Sequence, residues 1–180
     1  EVLLKTTQTE VVLKISELFS LQDYQTSCKT ILILDNDINN HLFEAIEPKC
    51  ENIILVDGGS NRFYESKYRN SNKIRCIIGD LDGIKEETKS FYKGKGVDII
   101  HDPDQNSTDF EKAFNTVISK DMMFDIFQRY PGRLDHVLSS MSNTQKYLQE
   151  RKDKHIIMIG KNSLMIYLHP KVDYSIHVKS

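Results

Sequence analysis

No long apolar run occurs in the chain. Nothing in it approaches the roughly 18 residues of a membrane span, and the N-terminus has no charged-then-apolar signal pattern. Charge of one sign is also lacking: the formal net charge is −2, which gives no electrostatic argument for nucleic acid or an anionic membrane. Cys28, Cys50 and Cys76 are odd in number, widely spaced and without a C-x-x-C pair, which points to a reducing, cytoplasmic compartment. The histidines form no H-x-x-x-H or Cys/His cluster, so a zinc site is not expected. Neither G-x-G-x-x-G nor G-x-x-x-x-G-K-[ST] occurs, which excludes a standard dinucleotide fingerprint and a P-loop. There is no internal repeat and no low-complexity tract.

What is present is ordinary globular composition, 39% hydrophobic and 28% charged over 180 residues, enough for a sizeable core. Six short apolar runs stand out: 31–34 (ILIL), 53–56 (IILV), 74–78 (IRCII), 97–100 (VDII), 122–127 (MMFDIF) and 155–159 (HIIMI). They are rich in Ile and Val, as strands buried on both faces should be, and they alternate with segments long enough for helices. The alternation predicts an α/β fold, a Rossmann-like, mostly parallel six-stranded sheet with helices on both faces. In such a sheet ligands bind outside the carboxyl ends of the strands. That is where Asp57, Asp80, Asp82, Asp104, Asp109 and Asp135 fall.

The ends of the chain read differently. Residues 10–19 (EVVLKISELF) carry apolar residues at helical spacing and predict an amphipathic helix within an N-terminal extension, residues 1–28. The α/β domain is expected over 29–162. Residues 164–168 (LMIYL) and 174–178 (YSIHV) resemble two strands of an antiparallel unit, so 163–180 is expected to begin a β-rich domain that the chain truncates.

Four motifs carry the chemistry. In Asp57-Gly58-Gly59-Ser60-Asn61-Arg62, glycines after a strand let backbone amides approach a phosphate, and the following helix start favours an anion; Asp-Gly is also a common turn. In Gly79-Asp80-Leu81-Asp82-Gly83, two carboxylates straight after a buried strand can converge on a hard cation such as Mg²⁺. In the segment from Asp102 to Lys112, Thr108 and Glu111 form a capping-box pattern, while Asp104, Gln105 and Asp109 cluster beyond what capping requires. In Gly132-Arg133-Leu134-Asp135, an arginine between strand and helix suits bidentate phosphate contacts, or an ion pair with Asp135.

DGGSNR, GDLDGI, DPDQNSTDFEKAF and GRLDH, in this order and at these intervals, resemble the signature segments of the thiamin pyrophosphokinase family. The likeness runs from about Ile31 to the C-terminus, and NSLMIYLHP is similar to the family's entry into a β-sandwich domain. The resemblance implies Mg²⁺-dependent transfer of the pyrophosphoryl group of ATP to the hydroxyethyl oxygen of thiamin, giving thiamin diphosphate and AMP, by a homodimer whose second domain helps build the thiamin site. It implies that Asp80, Asp82 and Asp109 hold Mg²⁺, and that Asp57, Asp82, Asp109 and Arg133 take part in catalysis. Gly58, Gly59, Asn61, Arg62, Asp104, Gln105, Thr108, Arg133 and Asp135 would surround nucleotide and thiamin.

The chain departs from the family at Gly83, where Ser is common, at Asn106, where an acid is usual, and at Pro131-Gly132. Two other functions fit parts of the pattern. Asp80-Leu81-Asp82-Gly83 also looks like the D-x-D-G of haloacid-dehalogenase-type phosphatases, with Asp80 as nucleophile, although here it follows the third strand rather than the first. A non-catalytic Mg-nucleotide-binding module is the other.

Overall fold

The computed structural model describes residues 2–5, 10–13, 30–35, 37–38, 40–119, 134–150, 156–159, 164–167 and 175–178. Its centre is a parallel sheet of β3 (Thr30–Ile33), β4 (Asn52–Val56), β5 (Ile74–Gly79) and β6 (Asp98–His101), in that spatial order. These followed β1 (Val2–Lys5) and β2 (Glu10–Leu13) in the chain. Parallel neighbours require crossovers, here supplied by helices α1 (Asn40–Ile46), α2 (Gly59–Glu65) and α3 (Glu86–Gly94).

Strand residues alternate between two cores. Ile31, Ile33, Ile53, Leu55 and Ile77 pack with Phe43 of α1, Phe63 of α2 and Tyr92 of α3. Leu32, Ile54, Val56, Cys76 and Ile78 pack on the other face with Phe110, Ala113 and Phe114 of α4 (Asp109–Ser119). Burial on both faces explains why the strands read as continuous apolar runs. A register shift between Ile53 and Ile54 leaves Arg75 of β5 unmatched. That extra residue is exposed and resets the alternation, so that Ile74 joins the first core and Cys76 the second.

Successive strands added in one direction with right-handed crossovers place all three connecting helices on one face. After β6 the chain changes face, and α4 packs back across β4 and β5. This reversal carries the start of α4 to the carboxyl ends of those strands, the side on which open α/β sheets bind their ligands.

Four expectations are corrected or fall elsewhere. The parallel sheet has four strands among the described residues, not six; 122–127 lies outside them. The sixth run does form β7 (Ile156–Ile159), but it pairs antiparallel with β8 (Leu164–Tyr167). An apolar run does not announce its partner's direction, and the short link through 160–163 suits a hairpin, whereas a parallel crossover needs a dozen residues or more. Residues 10–13 are strand β2, paired antiparallel with β1, and not helix; adjacent β-branched Val11 and Val12 favour the extended ladder, and 14–19 lies outside the described residues. Finally, β8 and β9 (Ser175–Val178) are both antiparallel strands but not to each other, since β9 pairs with β1. Helix α5 (Leu134–Glu150) contacts α4 and β8. No helix of the described residues is long and apolar enough to cross a membrane.

Helix α2 starts against backbone. A Cβ on Gly59 would lie 2.5 Å from the carbonyl oxygen of Ile33 and 2.7 Å from the carbonyl carbon of Leu34, so glycine is required there by close approach. Gly59→Ala is expected to destabilise the chain by about 1–3 kcal/mol, the range for overpacking a filled interior. A urea midpoint equal to that of the parent chain would contradict this packing.

Candidate active site at the strand ends

Asp57 follows β4, Asp80 follows β5, and Asp109 opens α4. The strand ends and the helix start thus bring three carboxylates together, each offering an oxygen within 4.8 Å of the others. The grouping differs from the expected Asp80, Asp82 and Asp109. Asp82 is exposed and its carboxylate is not in the group; its backbone amide donates to Asp80 Oδ1 at 3.4 Å. Asp57 stands in its place, because its turn lies directly against Gly79, where a Cβ would come within 2.8 Å of Asp57 Cβ and 3.4 Å of Asp109 Oδ1. The Asp57 amide hydrogen-bonds the Ile78 carbonyl at 2.9 Å.

The turns that present these groups are strained. Asp57 has φ 38° and Leu81 φ 65°, a left-handed conformation uncommon for residues other than glycine and concentrated at functional sites. The Asp57 carbonyl accepts the Ser60 amide at 2.9 Å and the Ser60 hydroxyl as well. Asn61 fixes the second loop to the first, donating to the Gly83 carbonyl at 2.7 Å and accepting the Lys85 amide at 3.0 Å. Gly83 comes so close that a Cβ on it would stand 2.3 Å from Asp57 Oδ2. The departure from serine at this position therefore has a spatial correlate: the loop lies directly against a group carboxylate.

Electrostatics push the carboxyls apart. Burial raises the Asp57 pKa above its ordinary value, and the Asp109 and Asp80 charges add to this, while the Gly58 and Gly83 amides oppose it. Asp57 Oδ1 is buried with no hydrogen-bond partner among the described residues. Asp80 is lowered: burial acts against ionisation, but the Asp82 amide, Gln105 and Lys112 outweigh it. Gln105 donates to Asp80 Oδ2 at 3.3 Å. Three converging carboxylates, one with an unsatisfied buried oxygen, form the all-oxygen donor set that a hard divalent cation such as Mg²⁺ takes.

The other expected residues are placed as follows. Thr108 and Glu111 complete the capping box, with the Thr108 amide to Glu111 Oε2 at 2.8 Å and the Glu111 amide to Thr108 Oγ1 at 3.3 Å. Asp104 is exposed and accepts the Asn106 amide at 2.9 Å; that amide bond, with Ser107 and the Asn106 side chain, lowers its pKa. Arg62 is half-exposed and meets Asp35 at 3.2 Å and Asp37 at 3.9 Å. Gly58 and Gly59 form the turn into α2. Asp135 lies in the first turn of α5; its side chain, and Arg133 altogether, fall outside the described residues.

One residue escaped the sequence reading. Lys112 has a side chain only 2% exposed, its ammonium 3.3 Å from Asp109 Oδ1 and 3.8 Å from Asp80 Oδ2. Its signal was available: it is a lone cation among Phe110, Ala113 and Phe114, which are buried on the same helix.

Asp57→Asn tests this balance, since asparagine tolerates positive φ. Folded Asp57 holds its proton more tightly than the unfolded chain does, so ionisation costs stability. The variant should therefore melt a few degrees above the parent at pH 7 without metal. The gain should fade as pH falls and vanish below about 3.8, the ordinary carboxyl value. Thermal melts across pH check this; a lower melting temperature for the variant at pH 7 would contradict it.

Comparison with known proteins gives the site its context. The family model described as "Thiamin pyrophosphokinase, catalytic domain" matches residues 43–158. Thiamine pyrophosphokinase 3 of Oryza sativa subsp. japonica is 27% identical over 145 residues, covering 70% of this chain and 53% of that protein. Thiamine pyrophosphokinase of Saccharomyces cerevisiae is 35% identical over 95 residues, covering 49% of this chain and 30% of that protein. The chain thus spans about half the length, or less, of these relatives. The fold is similar to the crystal structure of yeast thiamin pyrophosphokinase, with TM-score 0.67 at 19% identity, covering 84% of this chain and 64% of that one. It is similar also to thiamin pyrophosphokinase from Candida albicans, with TM-score 0.65 at 22% identity, covering 81% and 61%. With most of the described α/β core inside the matched span, the chain belongs to the thiamin pyrophosphokinase catalytic-domain family.

Proposed function

We propose that this chain carries the catalytic face of an enzyme that transfers the pyrophosphoryl group of ATP to the hydroxyethyl oxygen of thiamin, giving thiamin diphosphate and AMP. The observation that carries the reading is the convergence of Asp57, Asp80 and Asp109 at the carboxyl ends of β4 and β5 in a chain of this family. Transfer of a phosphoryl-type group depends on in-line positioning and on neutralising charge, with little covalent work for the protein.

Each residue has a role on this reading. Asp57, Asp80 and Asp109 would hold Mg²⁺, and Asp82 is carried on the same loop, near enough in sequence to join them. When bound, Mg²⁺ supplies charge neutralisation to the triphosphate oxygens. Gln105 orients Asp80 through its amide, and Asn61 holds the Gly83–Lys85 backbone so that the two acidic loops keep their separation. Arg62 is paired with Asp35 and Asp37 only at an exposed site, where such pairs are weak, which leaves its guanidinium able to turn to a phosphate. The Gly58 and Gly59 amides at the start of α2 favour an anion, and Arg133 adds charge stabilisation. Asp104, Thr108 and Asp135 belong to the surrounding nucleotide and thiamin contacts, Thr108 by fixing the start of α4.

We further propose a cytoplasmic homodimer in which a β-rich domain, entered near residue 163, completes the thiamin site. Neither nucleic acid nor membrane is a partner on this reading.

Phosphorus NMR of the chain with ATP, Mg²⁺ and thiamin tests the reaction. AMP and thiamin diphosphate are expected. ADP with inorganic phosphate would instead support a phosphatase or ATPase, and ATP bound but unchanged by a chain that also binds thiamin would support a nucleotide-binding module. Asp80→Asn and Asp109→Asn are each expected to lower AMP formation by roughly 100-fold or more, with unchanged far-UV circular dichroism; parent-like rates in both would remove the acidic group from the reaction.

A further inference from the structure

Lys112 asks for an explanation that neither helix stability nor core packing supplies. A lysine three residues after an aspartate can make a weak surface ion pair, but this one is almost fully buried. Phe110 and Phe114, two residues to either side, turn to the core beneath the sheet, so Lys112 is buried on a different side of the helix, and burying an ammonium there is unfavourable unless carboxylates receive it. Both carboxylates that receive it, Asp80 and Asp109, belong to the acidic group.

Charge gives the reason. With its three carboxylates ionised, the group and the Lys112 ammonium together carry two negative charges, the charge that one divalent cation cancels. Like charges this close repel strongly away from bulk water, so the lysine keeps Asp80 and Asp109 together when no cation is bound. The same ammonium repels a divalent cation that engages those oxygens.

We propose that Lys112 is a built-in counter-ion and positioning residue. It stabilises the metal-free acidic group, matches its charge to a single divalent cation, and keeps that cation's affinity moderate. The proposal rests on the reading of Asp57, Asp80 and Asp109 as a metal site.

The test is Mn²⁺ binding by calorimetry, in the absence of nucleotide, to the parent chain and to Lys112→Met, Lys112→Gln and Lys112→Arg. The neutral variants are expected to bind Mn²⁺ at least about threefold more tightly. They should melt at a lower temperature without metal and gain more from saturating Mn²⁺ than the parent does. Lys112→Arg should stay within about twofold of the parent, because it keeps the charge. A purely structural lysine would lower the melting temperature and leave affinity unchanged; equal or weaker Mn²⁺ binding by a folded neutral variant overturns the proposal. Should neither neutral variant fold, the parent chain still decides. The ¹⁵N signal of the Lys112 ammonium must shift on Mg²⁺ titration with the midpoint of Mg²⁺ binding, and a stationary signal overturns the proposal. A parent chain that binds no Mn²⁺ would instead remove the metal reading, and the role of Lys112 with it.

Discussion

Like-charge repulsion among Asp57, Asp80 and Asp109 is the constraint on which the rest of this structure turns. Carboxylates about 4 Å apart oppose one another by roughly 4 kcal/mol at an effective dielectric near 20, and a chain stable by only about 5–15 kcal/mol can hold such a group only with help. The help is local and specific: the Gly58 and Gly83 amides toward Asp57, Gln105 and the Asp82 amide toward Asp80, and Lys112 between Asp80 and Asp109. The start of α4 adds its own positive end near Asp109. What remains unsatisfied, above all the buried Asp57 Oδ1, is the part left for a ligand.

The fold supplies the rigidity that this arrangement needs. Two apolar cores clamp the sheet from both sides, and the Arg75 irregularity resets the alternation of β5, so that Ile74 and Cys76 serve opposite cores. Gly59 allows α2 to abut the end of β3, which fixes where Asn61 and Arg62 point. Asn61 then ties the Asp80 loop to the Asp57 loop. Strain at Asp57 and Leu81 is tolerated because these surrounding contacts over-determine the backbone. Stability and function are linked through the same few turns.

Much of this was legible in the sequence, for physical reasons that differ from one element to another. The buried strands of the parallel sheet announce themselves because both faces are apolar, and the aspartates after them fall at the strand ends. Thr108 and Glu111 gave away the start of α4 through purely local chemistry. Strand partnership was not legible: 156–159 reads identically for a parallel or an antiparallel neighbour, and the Val11–Val12 pair satisfies both helical and extended patterns. Asp57 rather than Asp82 completes the acidic group because a tertiary approach of two turns decides it, which spacing along the chain does not encode. Lys112 was hidden by its neighbours, since a charged residue in an amphipathic helix is ordinarily assigned to the solvent face.

The central claim is that Asp57, Asp80 and Asp109 form a divalent-cation site. Anomalous scattering from crystals grown with Mn²⁺ and a non-hydrolysable ATP analogue addresses it most directly. The account predicts one peak in contact with oxygens of all three carboxylates, at about 2.0–2.3 Å as expected for a small hard cation. A peak held elsewhere, by Asp82 and Asp104 without Asp57, or no peak at the group while the nucleotide is bound, would contradict it.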